Sequence, residues 1–377
     1  PYTVGLVLVG AILAATRPDF GMHLTHDLIF DLILPPLLFE AALSLSWREL
    51  ARDSLPLLTF AGPGTVISAA AVAFGVMQLL DWPAESAVVF GALIAATDPV
   101  AIIAMFKDNR IKGRLRLLVE SESLLNDGAA AVLFVVALAW AEGSGEAQGM
   151  GDTVMTLGRI VFGGIAIGGL CGVAAILVAQ RTTEHLIEAA LTTITAFGAF
   201  LIAEYFHVSG VLATVVAGLI LGNLGLAGEG ESSFLSHKGQ EFVHAFWEFA
   251  AFVANSVVFL LIGVDVATMP FTAYGATMLA TVIVVVLVAR ALTVYPLSAL
   301  FRASRWRITA GEQHVLWWGG LRGALALALA LSLPDSLPLR DTIVVATFGV
   351  VAFSIIVQGL TMPLLLRALG FMPQDGA

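Results

Sequence analysis

Residues 91–106 read GALIAATDPVAIIAMF, an apolar run with a Thr-Asp-Pro triplet at its centre. Proline has no backbone N–H and disfavours helical geometry at the residue before it, which is Asp98 here. The run therefore predicts either a helix kinked at Pro99 or a helix that stops and restarts there. Residues 314–334 read HVLWWGGLRGALALALALSLP, in which three glycines surround one arginine. This second interrupted run, in the other half of the chain, favours two broken helices over two simple kinks.

The composition around these runs indicates that lipid is the solvent. Of the 377 residues, 59% are hydrophobic and 12% are charged, whereas soluble domains carry about 25% charged residues. A single soluble core stops growing near ~250–300 residues and could not hide so much apolar surface. The net charge of −10 gives no basic face for nucleic acid, and the one cysteine, Cys171, can form no intrachain disulfide. We therefore expect an integral membrane protein that uses no cofactor and binds no nucleic acid.

Twelve apolar segments are candidates for membrane-spanning helices, each of which takes about 20 residues. Barrel strands are far shorter than these runs, so the sequence predicts an all-α, polytopic fold. The chain opens at Pro1 inside an apolar run, and we expect further residues to precede it. The predicted segments cover residues 3–16, 27–47, 55–79, 84–106, 118–140, 153–179, 184–204, 208–222, 238–264, 270–300, 309–333 and 341–368.

Basic residues are unequally divided between the gaps that separate these segments. The even-numbered gaps and the C-terminal end hold thirteen lysines and arginines, whereas the odd-numbered gaps hold only Arg17 and Arg340. Cytoplasmic loops of membrane proteins carry the excess of Lys and Arg. We therefore expect the even gaps and the C-terminus in the cytoplasm. If one segment were missing or extra, the basic residues would no longer fall on alternate gaps. Their distribution therefore also supports twelve segments.

The two interrupted runs are the fourth and the eleventh segments. A separation by an odd number of segments places two matching halves in opposite orientations, as in inverted-repeat transporters. Such transporters build their ion sites from broken helices near the bilayer midplane. The layout predicts one repeat of a missing helix plus segments one to five, a second repeat of segments seven to twelve, and segment six between them.

Residues 118–140 read LVESESLLNDGAAAVLFVVALAW and place several polar side chains inside a spanning segment. Residues four apart share a helix face, so Ser123 stacks with Asp127 and Glu122 stacks with Asn126. An ionisable group within the membrane is costly and marks function by default. The alternative, that the Asn-Asp-Gly triplet is a turn, conflicts with the more than three helical turns of apolar residues that follow.

These residues together predict a site for a hard monovalent cation. The Asp127 carboxylate, the Ser123 hydroxyl and the interrupted backbone near Thr97 offer oxygen ligands. Burial penalises a lone ionised carboxylate, so Asp127 is expected to release H⁺ when Na⁺ arrives and to regain H⁺ when Na⁺ leaves. Competition for one site is all that exchange of the two ions requires.

Further ionisable residues lie within the predicted spanning segments. Arg322 keeps its proton and needs a buried partner, for which Glu122 is the first candidate and Asp98 the second. We interpret this pair as a scaffold that holds the broken helices together. We also expect Asn126 and Asp98 to build the scaffold. Glu40, in the stretch LPPLLFEAAL, either borders the ion path or pairs with the backbone.

Four motifs in this order, LPPLLFEAAL, ATDPVA, ESESLLNDGAA and GGLRGALALALALSLP, resemble the NhaP/NHE branch of the cation–proton antiporter superfamily. The resemblance covers nearly the whole chain and implies Na⁺/H⁺ antiport by a thirteen-helix fold with two crossing discontinuous helices. It implies that Asp127 binds the cation and the proton alternately, with Ser123 and Thr97 as further Na⁺ ligands. It assigns supporting roles to Asn126, Asp98, Glu122, Arg322 and Glu40.

The resemblance further implies a homodimer in which a core subdomain moves like an elevator against a dimerisation subdomain. The adjacent asparagine and aspartate imply electroneutral exchange of one cation for one proton, with a role in pH homeostasis. The expected location is the plasma (inner) membrane. The corresponding parts of this chain are the core at about 55–140 and 270–368, the dimerisation subdomain at about 1–47 and 184–264, and a linker helix at about 153–179.

Alternatives to Na⁺/H⁺ exchange stay open. The same scaffold could prefer K⁺ or Li⁺, because the oxygen ligands do not distinguish cation size. A gated channel would need a continuous polar pathway and a repeated filter, and neither is visible in the sequence. A membrane sensor with vestigial transport would signal through a cytoplasmic tail beyond this sequence.

Overall fold

The computed structural model describes residues 2–16, 23–109, 111, 113–143, 150–181, 184–226 and 236–372. Within these residues the chain is helical and contains no β-strand. Among them, seven helices are long and apolar enough to cross a membrane. Helices satisfy their own backbone hydrogen bonds, as the hydrocarbon core requires. The predicted all-α, polytopic fold class is confirmed.

The observed helices lie close to the predicted segments. In chain order they are α1 (Tyr2–Thr16), α2 (Leu34–Ser44), α3 (Trp47–Arg52), α4 (Ser54–Leu80), α5 (Ala84–Leu93), α6 (Val100–Asp108), α7 (Arg114–Ala141), α8 (Met150–Ala179), α9 (His185–Tyr205), α10 (Gly210–Ile220), α11 (His237–Thr268), α12 (Phe271–Tyr274), α13 (Ala276–Leu300), α14 (Ala310–Trp318), α15 (Ala324–Leu331) and α16 (Arg340–Ala368). Of the basic residues used to orient the chain, Arg17, Arg110 and Lys112 lie outside the described residues.

Short π-helical turns adjust several of these helices. One of them, Phe60–Gly64, lies within α4 and contains Pro63, whose missing N–H cannot complete an α-helical ladder. Another, Leu28–Ile33, leads into α2. Prolines occupy the first turn of α2, where a missing backbone N–H costs little because first-turn N–H groups have no partner within the helix. The others are Leu221–Leu226 after α10 and Ser354–Gln358 within α16. Proline placement therefore accounts for the irregular parts of α2 and α4.

The two interrupted segments are broken helices. The backbone leaves helical geometry between the end of α5 at Leu93 and the start of α6 at Val100. It does so again between the end of α14 at Trp318 and the start of α15 at Ala324. The prediction of broken rather than kinked helices is confirmed. The inverted repeat and the total of thirteen helices stay predictions.

The described residues group into two compact units. The first comprises those within 1–26, 53–147 and 256–377, and the second those within 27–52 and 148–255. The dividing point 255/256 falls inside α11. Compact units reflect internal contacts, whereas core and dimerisation subdomains are defined by motion and by a partner. The predicted subdomain boundaries therefore stay predictions.

Each unit has its own close packing. In the first unit, a Cβ on Gly10 would collide with the carbonyl of Leu260, and a Cβ on Gly263 with the carbonyl of Val7. Glycine at both places lets α1 and α11 cross in backbone contact, as small residues do between membrane helices. In the second unit, the buried Trp247 donates from Nε1 to Thr192 Oγ1 at 2.9 Å.

Candidate ion-binding site

The first break, residues 94–99, takes its shape from Asp98 and Pro99. Pro99 has no N–H to continue α5, and the Asp98 Oδ1 atom accepts a hydrogen bond from the Val100 N–H at 2.9 Å. Asp98 therefore caps the start of α6 with its own side chain. Both the break and its capping residue lie in the first unit.

The second break, residues 319–323, depends on a close approach that only glycine permits. α14 starts with a capping box, in which the Thr309 hydroxyl and the Glu312 side chain bind each other's backbone N–H groups. The helix ends at Trp318, and α15 begins after Gly323. A Cβ on Gly323 would collide with the Asp98 carboxyl group. Glycine at this position therefore lets the second break touch the first.

The two breaks cross and share hydrogen bonds. The Asp98 N–H donates to the Leu321 carbonyl at 2.7 Å. Arg322 Nη1 donates to the carbonyls of Ala95 and Ala96 at 2.7 and 2.8 Å. Arg322 is only 2% exposed, and its positive charge lies at the carboxyl end of α5, where the helix dipole favours a cation. The predicted pair of crossing discontinuous helices is confirmed.

The predicted partner of Arg322 was wrong. Glu122 binds Arg290 on α13, with Nη1–Oε1 at 2.8 Å and Nη2–Oε2 at 2.9 Å. Arg290 Nη2 also donates to the Leu316 carbonyl at 3.1 Å. Arg322 instead satisfies backbone carbonyls that the break of α5 exposes, and neither Glu122 nor Asp98 forms an ion pair with it within 4.0 Å. A broken helix exposes backbone carbonyls, and these can accept hydrogen bonds from a buried arginine in place of a carboxylate.

Sequence reasoning missed Arg290 as a site residue. Arg290 is 6% exposed and lies within the apolar helix α13. An arginine in such a helix requires a buried partner, and that signal was present in the sequence. The predicted spanning segments contain three arginines away from their ends, Arg159, Arg290 and Arg322, and only the fold could decide which of them binds Glu122.

Thr97, Ser123 and Asn126 form one hydrogen-bonded cluster. The Thr97 hydroxyl lies 3.2 Å from Ser123 Oγ, and Ser123 Oγ donates to the Thr97 carbonyl. Asn126 Nδ2 donates to Thr97 Oγ1 at 2.7 Å and to Glu122 Oε1 at 3.0 Å, while its Oδ1 accepts from the Thr97 N–H at 3.2 Å. Asn126 thus supports Thr97 and Glu122, whereas the expectation placed it with Asp98. The cluster ties α7 to the first break.

Asp127 lies on the same face of α7 as Ser123, one helical turn further along. Its Oδ1 atom is buried and has no hydrogen-bond partner among the described residues, although the residue as a whole is partly accessible. A buried carboxylate oxygen without a donor is costly unless it holds a proton or a cation. The described part of the site therefore leaves one acidic oxygen open to a ligand.

A narrow cavity, too small to hold a water molecule, is lined by residues that include Thr97, Pro99, Glu122, Ser123 and Arg290. Hydroxyl, carbonyl and carboxylate oxygens are the donors that hard cations select. The cavity wall thus contains two of the three predicted Na⁺ ligands. The remaining predicted residue, Glu40, is half-buried on α2 in the second unit.

Comparisons with known proteins cover the whole site. The family model described as sodium/hydrogen exchanger, transmembrane, matches residues 1–368. The Na⁺/H⁺ antiporter ApNhaP of Aphanothece halophytica is 39% identical over 373 residues, which span 99% of this chain and 70% of that protein. The Na⁺/H⁺ antiporter NhaG of Bacillus atrophaeus is 37% identical over 383 residues, spanning 98% and 71%.

The fold is also similar to a solved structure. The sodium proton antiporter MjNhaP1 from Methanocaldococcus jannaschii matches with a TM-score of 0.73 over 98% of each chain. The sequence identity in that comparison is 18%, so the likeness concerns the fold alone.

Proposed function

The chain belongs to the sodium/hydrogen exchanger family, and from this premise we propose that it exchanges Na⁺ for H⁺ at one shared site around Asp127. Membership agrees with the resemblance expected from the four motifs. Members of this kind are transporters rather than enzymes, and the chain is an integral, multi-pass membrane protein. We propose, in addition, which residues bind the ions, the stoichiometry of the exchange and the motion of the protein.

One observation carries the assignment of the site. Asp127 Oδ1 is buried and has no hydrogen-bond partner in the described part of the chain, one helical turn from the Ser123–Thr97 hydrogen bonds at the crossing of two broken helices. In this proposal Na⁺ takes the Asp127 carboxylate, the Ser123 hydroxyl and Thr97 as oxygen ligands. The proton takes the same carboxylate when Na⁺ leaves. The site then never stays empty and ionised in a poorly solvated setting.

The proposed ligands are held in position by a set of supporting residues, namely Asn126, Asp98, Glu122 and Arg322, to which Arg290 is added. Asn126 orients Thr97, and Asp98 caps α6. Arg290 binds the Glu122 carboxylate, and Arg322 binds backbone carbonyls at the end of α5. None of these groups offers a carboxylate oxygen as open as that of Asp127. Glu40 is proposed to act on the ion path from α2.

Replacing one H⁺ by one Na⁺ conserves the charge of the loaded site, so the proposed exchange is one-for-one and electroneutral. The proposed transport cycle is an elevator-type alternating access in a homodimer, in which the core at about 55–140 and 270–368 moves. The dimerisation subdomain at about 1–47 and 184–264 stays in place, and the helix at about 153–179 links the two. The proposed orientation has the C-terminus in the cytoplasm, where the excess of Lys and Arg lies. The proposed location is the plasma (inner) membrane.

Reconstitution into proteoliposomes tests the proposal. The purified chain should move H⁺ in response to an imposed Na⁺ gradient, with the same rate whether or not the voltage is clamped. Parallel assays with Li⁺ and K⁺ decide which cation the site prefers. Asp127→Asn should abolish exchange, whereas Asp341→Asn, which removes an exposed carboxylate at the start of α16, should leave it intact. Exchange that survives Asp127→Asn would refute the proposed role.

A further inference from the structure

A π-helical turn, Ser354–Gln358, interrupts the α-helical ladder of α16. Such a turn inserts a residue and rotates the side chains that follow, and it often occurs at functional sites. This one carries two polar residues, Ser354 and Gln358, which are 0% and 3% exposed. Neither belongs to the ligand set proposed above, and no family motif drew attention to them.

Both residues bind the second break. Ser354 Oγ accepts from the Arg322 N–H at 3.1 Å and donates to the Val351 carbonyl at 2.9 Å. Gln358 Nε2 donates to the Trp318 carbonyl at 2.8 Å. Trp318 ends α14, and Arg322 lies just before α15 begins. The π turn therefore satisfies backbone groups at both ends of the interruption, which would otherwise be unpaired in a poorly solvated interior.

The second break in turn fixes the first. The Leu321 carbonyl accepts from the Asp98 N–H, and Arg322 Nη1 binds the carbonyls of Ala95 and Ala96. Thr97 lies between Ala96 and Asp98 in the chain, so these bonds hold the backbone on both sides of it. A series of hydrogen bonds thus leads from α16 through residues 318–322 to the residues on either side of Thr97.

We propose that Ser354 and Gln358 are positioning residues for the transported cation: they hold the second break so that Thr97 keeps the geometry in which it binds Na⁺. This inference rests on the proposed function, because it takes Thr97 as a ligand. Among the described residues, Asp127 forms no hydrogen bond with any member of the series. Loss of either polar group therefore changes the affinity and the size selectivity of the cation site, while the proton-binding carboxylate is retained.

The expected effect is on KM rather than on maximal rate. Removing one partner of a buried hydrogen bond shifts an equilibrium by about fivefold. Ser354→Ala and Gln358→Met should each raise the KM for Na⁺ by about that factor and alter the ratio of Li⁺ to Na⁺ exchange. A merely structural role would lower the amount of active protein, and so the maximal rate, without changing either quantity.

Thr347→Val is the matched control. Thr347 is a fully buried residue of the same helix, and its hydroxyl donates to the Ile343 carbonyl one turn away. Valine keeps its shape and removes only the hydroxyl. This variant should retain the wild-type KM and the wild-type Li⁺ to Na⁺ ratio. A KM raised equally in Thr347→Val would overturn the inference, because any loss of a hydroxyl from α16 would then have the same effect.

The test uses the full chain in proteoliposomes, with Na⁺ and Li⁺ titrations of exchange. Variants that reconstitute poorly are titrated in detergent instead, since a bound cation raises Tm as its concentration passes the Kd. Wild-type KM, selectivity and cation-dependent Tm in both Ser354→Ala and Gln358→Met would contradict the inference. Failure of the proposed function has a different signature, namely a wild-type chain without Na⁺/H⁺ exchange or an Asp127→Asn variant that retains it.

Discussion

Glu122 and Arg290 form a buried two-point ion pair, with both carboxylate oxygens within 2.9 Å of a guanidinium nitrogen. The pair joins α7, which carries the proposed ligands Ser123 and Asp127, to the apolar helix α13. It also leaves Arg322 free to bind the backbone of the first break. The buried arginines Arg290 and Arg322 therefore have different partners: Arg290 binds a carboxylate, and Arg322 binds the backbone of a broken helix.

Glu122→Gln should destabilise the protein strongly. The change leaves the Arg290 guanidinium buried without its counter-charge, and breaking such a pair from one side costs about 3–5 kcal/mol. The measurement is thermal unfolding of the purified protein in detergent. The double variant Glu122→Gln/Arg290→Met should lose less stability than the sum of the two single variants, because no charge is then stranded. Simple additivity would show that the two groups do not stabilise each other.

Ser123→Ala should weaken cation binding without abolishing exchange. The hydroxyl is one of several proposed oxygen ligands, and its loss should raise the KM for Na⁺ by about tenfold, near the lower end of the range for a bond to a charged group. Ser121→Ala is the control, since Ser121 is equally buried on α7 and its hydroxyl has no hydrogen-bond partner among the described residues. Equal KM values for the two variants, measured as Na⁺-driven proton flux, would remove Ser123 from the ligand set.

Gly323→Ala should disrupt the crossing of the broken helices. The added Cβ would collide with the Asp98 carboxyl group, so either Asp98 or the second break must shift. We expect loss of exchange, with an unfolding temperature well below that of the wild type. Gly198→Ala in α9 meets nothing within 4 Å and should be neutral or slightly stabilising, by about 1 kcal/mol at most. Normal transport by Gly323→Ala would show that the close approach is dispensable.

Arg114→Lys should destabilise the end of the first unit where α7 begins. Arg114 donates to Asp53 at 2.8 Å and to the carbonyls of Arg307 and Trp306 at 2.7 and 3.0 Å. A lysine cannot reproduce this planar, three-acceptor geometry, and Asp53 is buried. Differential scanning fluorimetry should show a clear fall in Tm. Arg116→Lys, which disturbs one contact at 3.3 Å, should change Tm little.

The broken helices, and the polar residues that meet at the candidate ion site, could largely be predicted from the sequence. Proline, glycine and intramembrane acids act locally, so the Thr97-Asp98-Pro99 triplet and the glycines around Arg322 mark the interruptions directly. The register of a single helix likewise places Ser123 and Asp127 on one face. The hydrogen bond from Asn126 to Glu122 follows from the same spacing.

Contacts between distant helices could not be predicted in the same way. The choice between Arg290 and Arg322 as the partner of Glu122 depends on how α7, α13 and the second break pack, and residue spacing carries no such information. Arg322 binds backbone carbonyls, and the sequence does not indicate which carbonyls a side chain will bind. The π turn in α16 was equally hidden, because its bonds from Ser354 to the Arg322 N–H and from Gln358 to the Trp318 carbonyl depend on how α16 packs against the second break.

Proton release on cation binding tests the central claim most directly. Purified protein in weakly buffered detergent solution, at a pH where Asp127 is protonated, is titrated with Na⁺ while a pH-sensitive dye reports H⁺. We expect close to one H⁺ released for each Na⁺ bound by the wild type, and no release from Asp127→Asn. Na⁺ binding without proton release, or undiminished release from Asp127→Asn, would contradict a single carboxylate shared by the two ions.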